Sequence, residues 1–216
     1  MNQLVILCDF DGTITIEDTG VIALNQFSSG NWQYYDTLLE EGKIPLEECI
    51  KSQFEMIKGQ KSEILEYIEQ NVNIRSHILE FIDLCRQTNI PFVILSAGID
   101  FIIEYIMDQY KFPKDIPIYC PRTYFSNNQL HVSFPTLNFD DSKNFKEDIV
   151  RKYNTEKNTC IYIGNGLSDF EGVRGADFSY VVKNSKLADL CKKEDISHQD
   201  FSDFNQILKD VKLRYT

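Results

Sequence analysis

The sequence predicts an α/β protein with a doubly wound parallel sheet, a small helical insertion after the first strand, and a β-hairpin. Strand-like apolar runs alternate with segments of helical periodicity over much of the 216-residue chain, which indicates a parallel sheet with right-handed crossovers. Residues 17–73 break this alternation, because their apolar positions recur at helical spacing. Residues 122–134 alternate in the manner of a hairpin instead. We therefore expect a Rossmann-like core made of residues 1–16 and 74–216, with residues 17–73 forming a helical cap domain over the mouth of the sheet.

The first strand is an apolar run that ends in two acids, Asp9 and Asp11. The run is apolar enough to be buried on both faces, as in a central parallel strand. Side chains two positions apart point the same way, so both carboxylates face one small volume at the carboxyl end of the strand, where open α/β sheets place ligands. Gly12 lets the backbone turn directly beyond them. Two carboxylates in one volume repel, and a divalent cation such as Mg²⁺ would relieve that repulsion.

The helical insertion carries its own signals of helix formation. One helix is predicted from apolar residues at helical spacing, namely Leu46, Ile50, Phe54 and Ile57. Ser62, followed by Leu65 and Ile68, predicts the capped start of another. The insertion contains no arginine. Its large aromatic and aliphatic residues either line an apolar pocket or form core; they are Phe27, Trp32, Tyr34, Tyr35, Phe54 and Met56.

The later strands and helices follow from the same two periodicities. Strands are predicted at 91–96, 159–164 and 178–182, with a further short strand at 117–120 and helices at 99–110 and 141–153. Asn127-Asn128 supplies the turn of the hairpin. Ser96-Ala97-Gly98 closes the second strand, where its hydroxyl and the following backbone amides either hold a phosphate oxygen or merely cap the next helix.

Composition excludes several classes of function. The net charge of −11 argues against a nucleic-acid partner. No apolar run is long enough to span a membrane, and the chain enters its first strand within four residues, so we expect a cytoplasmic protein without a signal peptide. The six cysteines and three histidines are scattered without metal-binding spacing, which predicts buried free thiols and no zinc site.

The strand-end motifs together resemble the haloacid dehalogenase superfamily of phosphatases. Asp9-Phe-Asp-Gly-Thr-Ile-Thr15 is similar to the first motif of that superfamily, and Ser96 stands where the second motif has its hydroxyl residue. Lys146 matches the third-motif lysine, with Lys143 as a competitor. Gly164-Asn165-Gly-Leu-Ser-Asp169 matches the fourth motif, Gly-Asp-x-x-x-Asp, except that Asn165 replaces the first acid. The four motifs occur in order, so the resemblance covers essentially the whole chain.

A closer resemblance is to the phosphoserine-phosphatase-like branch, in which a helical cap follows the first motif. The segments 8–15, 90–101 and 162–171 look like the 2-hydroxy-3-keto-5-methylthiopentenyl-1-phosphate phosphatases of methionine salvage. The cysteine-rich insert that some members carry before the third-motif lysine is absent. Phosphoserine phosphatases use a cap arginine for the substrate carboxylate, and the lack of one here counts against phosphoserine. Phosphoserine hydrolysis and phosphate binding with little turnover remain the alternative functions.

The resemblance implies a magnesium-dependent hydrolase of a small phosphorylated metabolite. Asp9 would attack phosphorus, and Asp11 would serve as the general acid and then the general base. The implied phosphate ligands are Ser96, Ala97, Gly98 and Lys146, and the implied Mg²⁺ ligands are Asp9, Asp11, Asn165 and Asp169. Glu17 and Asp18 stand at the cap entrance, where they either contact the organic part of the substrate or only begin the first cap helix, whose dipole favours acids.

Overall fold

The structure, a computed structural model, describes residues 3–215 and contains a central parallel sheet and a separate hairpin. The sheet strands are β1 (Leu4–Cys8), β2 (Phe92–Leu95), β3 (Ile118–Tyr119), β6 (Thr159–Gly164), β7 (Phe178–Val182) and β8 (Gln199–Phe201); the hairpin strands are β4 (Arg122–Ser126) and β5 (Gln129–Ser133). The six sheet strands are all parallel and lie in the order β3-β2-β1-β6-β7-β8. This arrangement confirms the predicted doubly wound, Rossmann-like core.

Ten helices flank or follow these strands within the described residues. They are α1 (Thr19–Phe27), α2 (Gln33–Glu40), α3 (Leu46–Phe54), α4 (Lys61–Asn71), α5 (Ile78–Gln87), α6 (Asp100–Gln109), α7 (Phe145–Thr155), α8 (Phe170–Gly175), α9 (Lys186–Lys193) and α10 (Phe204–Tyr215), with a 3₁₀ turn at Leu167–Asp169. None of them is long and apolar enough to cross a membrane in the part of the chain that the structure describes. All six cysteines are buried and unpaired, as predicted.

Strand β1 lies at the centre of the sheet because it is apolar on both faces. Val5 to Cys8 are almost completely buried, and the strand pairs with β2 on one side and β6 on the other. Leu7 lies opposite both Val93 and Tyr162 in this register. The carboxyl ends of three neighbouring strands therefore meet at one edge, directly before the polar segments that the sequence singled out.

Helices α1 to α4 form the insertion between β1 and α5, and two adjacent chain segments connect it to the core. Ile16 N donates to Asn73 O at 2.8 Å, and Arg75 N donates to Ile14 O at 2.7 Å. The hairpin provides a further contact, because Lys58 and Gln129 form an antiparallel main-chain bridge. The insertion is thus joined to the core on two sides.

Two predicted helix starts were wrong in detail. The helix expected from residue 141 begins at Phe145, because Asn144 caps it by accepting from Glu147 N at 2.9 Å, and because Asp148 holds the preceding loop. Ser62 does not cap α4, which already begins at Lys61; there Glu63 accepts from Gln60 N at 2.9 Å. The hairpin turn is as predicted.

Candidate active site

The loop after β1 turns sharply so that Asp9 and Asp11 face one cavity while Phe10 enters the core. Asp9 N donates to Ile163 O at 2.8 Å, which continues the pairing of β1 with β6. Phe10 is completely buried. Gly12 has φ +75°, and a Cβ there would lie 2.2 Å from Nδ2 of Asn165, so this position requires glycine on both backbone and steric grounds.

Lys146 lies completely buried between two carboxylates. Its Nζ is 2.7 Å from Oδ1 of Asp9 and 2.6 Å from Oδ1 of Asp169. Because α7 begins at Phe145, Lys146 is in its first turn and points into the sheet edge. Lys143 instead forms an exposed ion pair with Glu171 at 2.8 Å. The structure therefore brings Lys146, and not Lys143, to the two sequence-predicted acids.

Asp169 is fully enclosed and accepts hydrogen bonds on both oxygens. Oδ1 receives Lys146 Nζ and the hydroxyl of Tyr162 at 2.8 Å, and Oδ2 receives the main-chain N–H groups of Asn165 and Gly166 at 2.9 Å each. A Cβ at Gly164 would lie 2.7 Å from Cγ of Asp169, so the strand end must be glycine here. The carboxylate fixes both the lysine and the loop that carries Asn165.

Asp11 is held by two hydroxyl groups at the junction of the insertion and β2. The hydroxyl of Thr19 makes a very short hydrogen bond to Oδ1, and Thr19 N donates to the same oxygen at 3.2 Å. Ser96 Oγ donates to Oδ2 at 3.0 Å and itself accepts from Gly98 N at 2.9 Å. Burial raises the pKa of Asp11, although the Thr19 and Ser96 hydrogen bonds oppose it. That direction favours a protonated carboxyl, as a general acid requires.

Asp9 experiences opposing influences. Burial raises the pKa of its carboxyl, with the charge of Asp169 acting in the same direction, while the ammonium of Lys146 lowers it. The lysine remains protonated, because the two carboxylates raise its pKa more than burial lowers it. Cys8 directly precedes Asp9, but burial raises the pKa of its thiol well above the ordinary value, so it stays protonated and inert.

Oxygen atoms suited to a hard cation lie beside this cluster. Thr13 Oγ1 contacts Oδ2 of Asp9 at 3.2 Å and Oδ1 of Asn165 at 2.9 Å, so these two oxygens lie around one point. Among residues 3–215, no three or more His, Cys, Asp or Glu side chains are arranged to hold a metal. A Mg²⁺ ion here would thus need amide and main-chain oxygens besides Asp9, a donor set that this ion accepts.

The cavity between the insertion and the sheet edge has a volume of about 350 Å³. Its lining includes Asp9, Asp11, Asp18, Ala97, Gly98 and Asn165 from the sequence-predicted set, and Trp32 and Phe54 from the aromatic residues of the insertion. Asp18 also caps α1 by accepting from Val21 N at 2.9 Å. Glu17 is not among the lining residues, and its carboxylate accepts from Asn73 N at 2.8 Å, where the two connecting segments meet.

Three residues that support the site carry no recognisable signal in the sequence. Thr19 binds Asp11, and Tyr162 binds Asp169, as described above. Arg75 donates to the carbonyl oxygens of Gly12 and Thr13 at 2.8 Å each and to Ser202 O at 3.1 Å, so it fixes the loop after β1 from outside. The alternation of β6 puts Tyr162 on the face of Gly164, which is the only hint of its role that the strand pattern offers.

Comparison with known proteins agrees with this geometry. The family model of the haloacid dehalogenase-like hydrolases matches residues 6–174. A 2-hydroxy-3-keto-5-methylthiopentenyl-1-phosphate phosphatase of Brevibacillus brevis is 30% identical over 96% of this chain and 94% of its own. The phosphatase of the same name from Bacillus pumilus is 27% identical over 94% and 89% of the two chains.

Solved structures of phosphoserine phosphatases share the fold. A substrate-bound complex superposes with a TM-score of 0.73 and 18% identity, covering 97% of this chain and 99% of that one. A phospho-aspartyl intermediate analogue of phosphoserine phosphatase superposes with a TM-score of 0.72 and 17% identity, covering 97% of this chain and 99% of that one. Since the family model spans most of the chain and a curated relative matches nearly its full length, this chain belongs to the haloacid dehalogenase-like hydrolase family, among the phosphatases of that family.

Proposed function

We propose that this phosphatase hydrolyses a small phosphorylated metabolite through an aspartyl-phosphate at Asp9 with the help of Mg²⁺, and that residues 17–73 act as its cap. The observation that carries the proposal is the convergence of Asp9, Asp11, Ser96, Lys146 and Asn165 at one sheet edge. A nucleophile, a carboxyl with raised pKa, a buried cation and oxygen donors for a hard metal are the groups that phosphoryl transfer requires.

In the first step, a carboxylate oxygen of Asp9 attacks phosphorus, and the bond to the leaving oxygen breaks. Asp11 gives its proton to that oxygen as the alcohol departs. In the second step Asp11, now ionised, takes a proton from water as the water attacks the acyl-phosphate, and Asp9 is regenerated.

Lys146 and the donors at the end of β2 would neutralise the charge of the phosphoryl oxygens. The Lys146 ammonium already contacts Asp9, and Ala97 and Gly98 line the cavity at the start of the segment leading to α6. The Ser96 hydroxyl and Gly98 N, which bond to Asp11 and to Ser96 here, would have to turn to the phosphate when it binds. The helical insertion covers the cavity and limits the access of water to the acyl-phosphate.

The metal ligands that we propose are Asp9, the main-chain carbonyl of Asp11, and Asn165. Mg²⁺ held by these oxygens would offset the negative charge of the phosphate and the carboxylates. Asp169 was a candidate ligand, but both its oxygens already accept hydrogen bonds from four donors. We therefore assign it the role of positioning Lys146 and the Asn165 loop.

The substrate that we propose is 2-hydroxy-3-keto-5-methylthiopentenyl-1-phosphate. The names of the relatives described above support this assignment. Phosphoserine is the competing substrate. Within residues 3–215, no arginine lines the cavity in a position to bind an amino-acid carboxylate by two hydrogen bonds. Aliphatic residues of the lining, such as Leu24 and Leu46, suit an apolar tail instead.

Two measurements test the proposal. Brief mixing with substrate and Mg²⁺, followed by acid quenching and peptide mass spectrometry, should detect a phosphoryl group on Asp9 that is absent from Asp9→Asn. Comparing kcat/KM for the two substrates decides between them, and a preference for phosphoserine of about tenfold, or about 1.4 kcal/mol, would overturn the substrate assignment alone. Binding of phosphate without any turnover would instead favour a phosphate-binding protein over an enzyme.

A further inference from the structure

Among the residues that the structure describes, the cap wall of the cavity contains several hydrogen-bond acceptors, the indole of Trp32 and no cationic side chain. Its ionisable acids are Asp18, Asp36 and Glu40, and its one amide side chain is Gln53. Among the described lining residues, the single cationic side chain is Lys186 of the core, whose Nζ pairs with Glu40 at 3.2 Å. The part of the cavity that faces the leaving group is therefore acidic.

Gln53 is oriented so that its carbonyl oxygen is left for a ligand. Its side chain is 6% exposed, and Nε2 donates to Oδ1 of Asp36 at 2.8 Å and to the main-chain oxygen of Trp32 at 3.3 Å. Both partners are pure acceptors, which fixes the amide orientation. Within residues 3–215 no group donates to Gln53 Oε1, yet no fully enclosed polar side-chain atom of these residues lacks a partner, so Oε1 is accessible, and Gln53 is a lining residue of the cavity.

Asp36 supplies the second acceptor beside it. The side chain is half-buried, and its Oδ1 accepts from Gln53 and lies 4.0 Å from Sγ of Cys49. Its Oδ2 receives no hydrogen bond from the described residues. A buried amide oxygen next to a carboxylate oxygen can accept two hydrogen bonds from one ligand, and a ligand without donors would leave both unpaired.

We propose that Asp36 and Gln53 determine which leaving group the phosphatase accepts: they bind a hydrogen-bond donor of the alcohol, such as a hydroxyl or enol group, and exclude alcohols whose only charged group is a carboxylate. This inference rests on the proposed hydrolysis of phosphomonoesters and adds the recognition of the organic part. A carboxylate would meet the charge of Asp36, and Lys186, the one cation of the described lining, is already paired with Glu40. Leu24, Leu46 and Phe54 line the same cavity and would contact the apolar remainder of the substrate.

Four phosphate esters separate the contributions of donor and charge. Glycerol 1-phosphate offers hydroxyl groups, phosphoglycolate a carboxylate, phosphoethanolamine an ammonium group, and phenyl phosphate neither donor nor charge on its leaving group. We expect the wild-type enzyme to turn over glycerol 1-phosphate at least about tenfold more efficiently, in kcat/KM, than phosphoglycolate. Gln53→Met, which keeps the length and removes the amide, should lower kcat/KM for glycerol 1-phosphate by about tenfold.

The same variant should change phenyl phosphate hydrolysis by less than about twofold. Asp36→Asn should reduce the ratio of kcat/KM for glycerol 1-phosphate to kcat/KM for phosphoglycolate, because it removes the negative charge that repels the phosphoglycolate carboxylate. Glu48→Gln is the matched control, since Glu48 is exposed on the same helix as Gln53 and does not line the cavity. Circular dichroism and Trp32 fluorescence identify any variant that fails to fold.

An equal loss on phenyl phosphate and glycerol 1-phosphate would overturn the inference, because Gln53 would then only support the cap. Use of phosphoglycolate as efficient as that of glycerol 1-phosphate or of phosphoethanolamine would also overturn it, because acidic acceptors should favour either donor over a carboxylate. Each of these outcomes leaves the proposed function intact as long as phenyl phosphate is hydrolysed. If the wild-type enzyme hydrolyses none of the four esters, the proposed function itself is overturned.

Discussion

Replacing Asp169 with asparagine should destabilise the protein, whereas replacing Asp9 with asparagine should not, although both acids contact Lys146. The three side chains carry a net charge of one carboxylate in a fully buried place, with Nζ at 2.7 Å and 2.6 Å from the two acids. Asp9→Asn leaves a neutral Lys146–Asp169 pair with every hydrogen bond of Asp169 intact. Asp169→Asn leaves Lys146 paired with Asp9, but an NH₂ group replaces one of the two carboxylate oxygens that accept hydrogen bonds.

The magnitudes follow from what each asparagine leaves unpaired. Asp9→Asn gives up one charge-assisted bond, worth about 1.5–3 kcal/mol, but removes a buried charge whose desolvation costs several kcal/mol. We expect its unfolding free energy to be unchanged or higher by about 1 kcal/mol. In Asp169→Asn the new NH₂ group faces other donors in either orientation: Lys146 and the Tyr162 hydroxyl, or two main-chain N–H groups. Because the buried Lys146–Asp169 ion pair is also lost, the unfolding free energy should fall by about 3–5 kcal/mol.

Urea unfolding at pH 7 without Mg²⁺, followed by far-UV circular dichroism, measures both values. For a chain of this size the loss in Asp169→Asn corresponds to a fall in Tm of roughly 6–20 °C. Asp9→Asn should also reduce hydrolysis by at least about 1,000-fold while remaining folded. If Asp9→Asn loses as much stability as Asp169→Asn, or if Asp169→Asn loses less than about 1 kcal/mol, the reasoning from the extra donors of Asp169 is refuted.

Three further changes have defined outcomes. Asn165→Asp should tighten Mg²⁺ binding by at least about tenfold in Kd in calorimetry, because it adds a full charge beside the ion; an unchanged Kd would remove Asn165 from the metal site. Although Asp18 is solvent-accessible, the surrounding protein desolvates its carboxyl and, with the charges of Asp11 and Asp36, raises its pKa to about 7; stability should therefore decline modestly as pH rises from about 4 to 7, and Asp18→Asn, which keeps the helix cap, should gain Tm relative to wild type over the same range. A Tm difference between Asp18→Asn and wild type that stays constant across this pH range would contradict this expectation. Arg75→Lys keeps the positive charge but loses the paired guanidinium hydrogen bonds to Gly12 O and Thr13 O, and should lower kcat more than it raises KM. An unaltered kcat would show that the loop after β1 keeps its conformation without Arg75.

The main groups of the site could be predicted because parallel strands bring distant segments to one edge. Asp9 and Asp11 were predicted from their position at the end of an apolar strand. Lys146, which contacts Asp9 across 137 positions, was predicted from its resemblance to the third motif of the family. Asn165 and Asp169 follow the end of β6, and their assignment came from the resemblance to the fourth motif.

Residues that act through a bent or irregular backbone could not be found in this way. Arg75 reaches the carbonyl groups of Gly12 and Thr13 only because residues 14–16 pair with 73–75, and no periodic pattern encodes that pairing. The start of α7 was missed for a related reason. Asp148 binds the main chain at Asn138 and Phe139, and this tertiary contact keeps the preceding loop out of the helix.

One contact between the insertion and the core would couple any movement of helix α3 to the position of Lys146. Glu47, in the first turn of α3, accepts from Phe145 N at 2.8 Å, directly before Lys146 in the chain. Lifting α3 breaks this charge-assisted bond, which costs about 1.5–3 kcal/mol. If this bond alone set the equilibrium, between roughly one molecule in ten and one in 150 would be open at any moment. Substrate entry would then draw on a minority population, and the apparent affinity for substrate would be weakened by the same fraction.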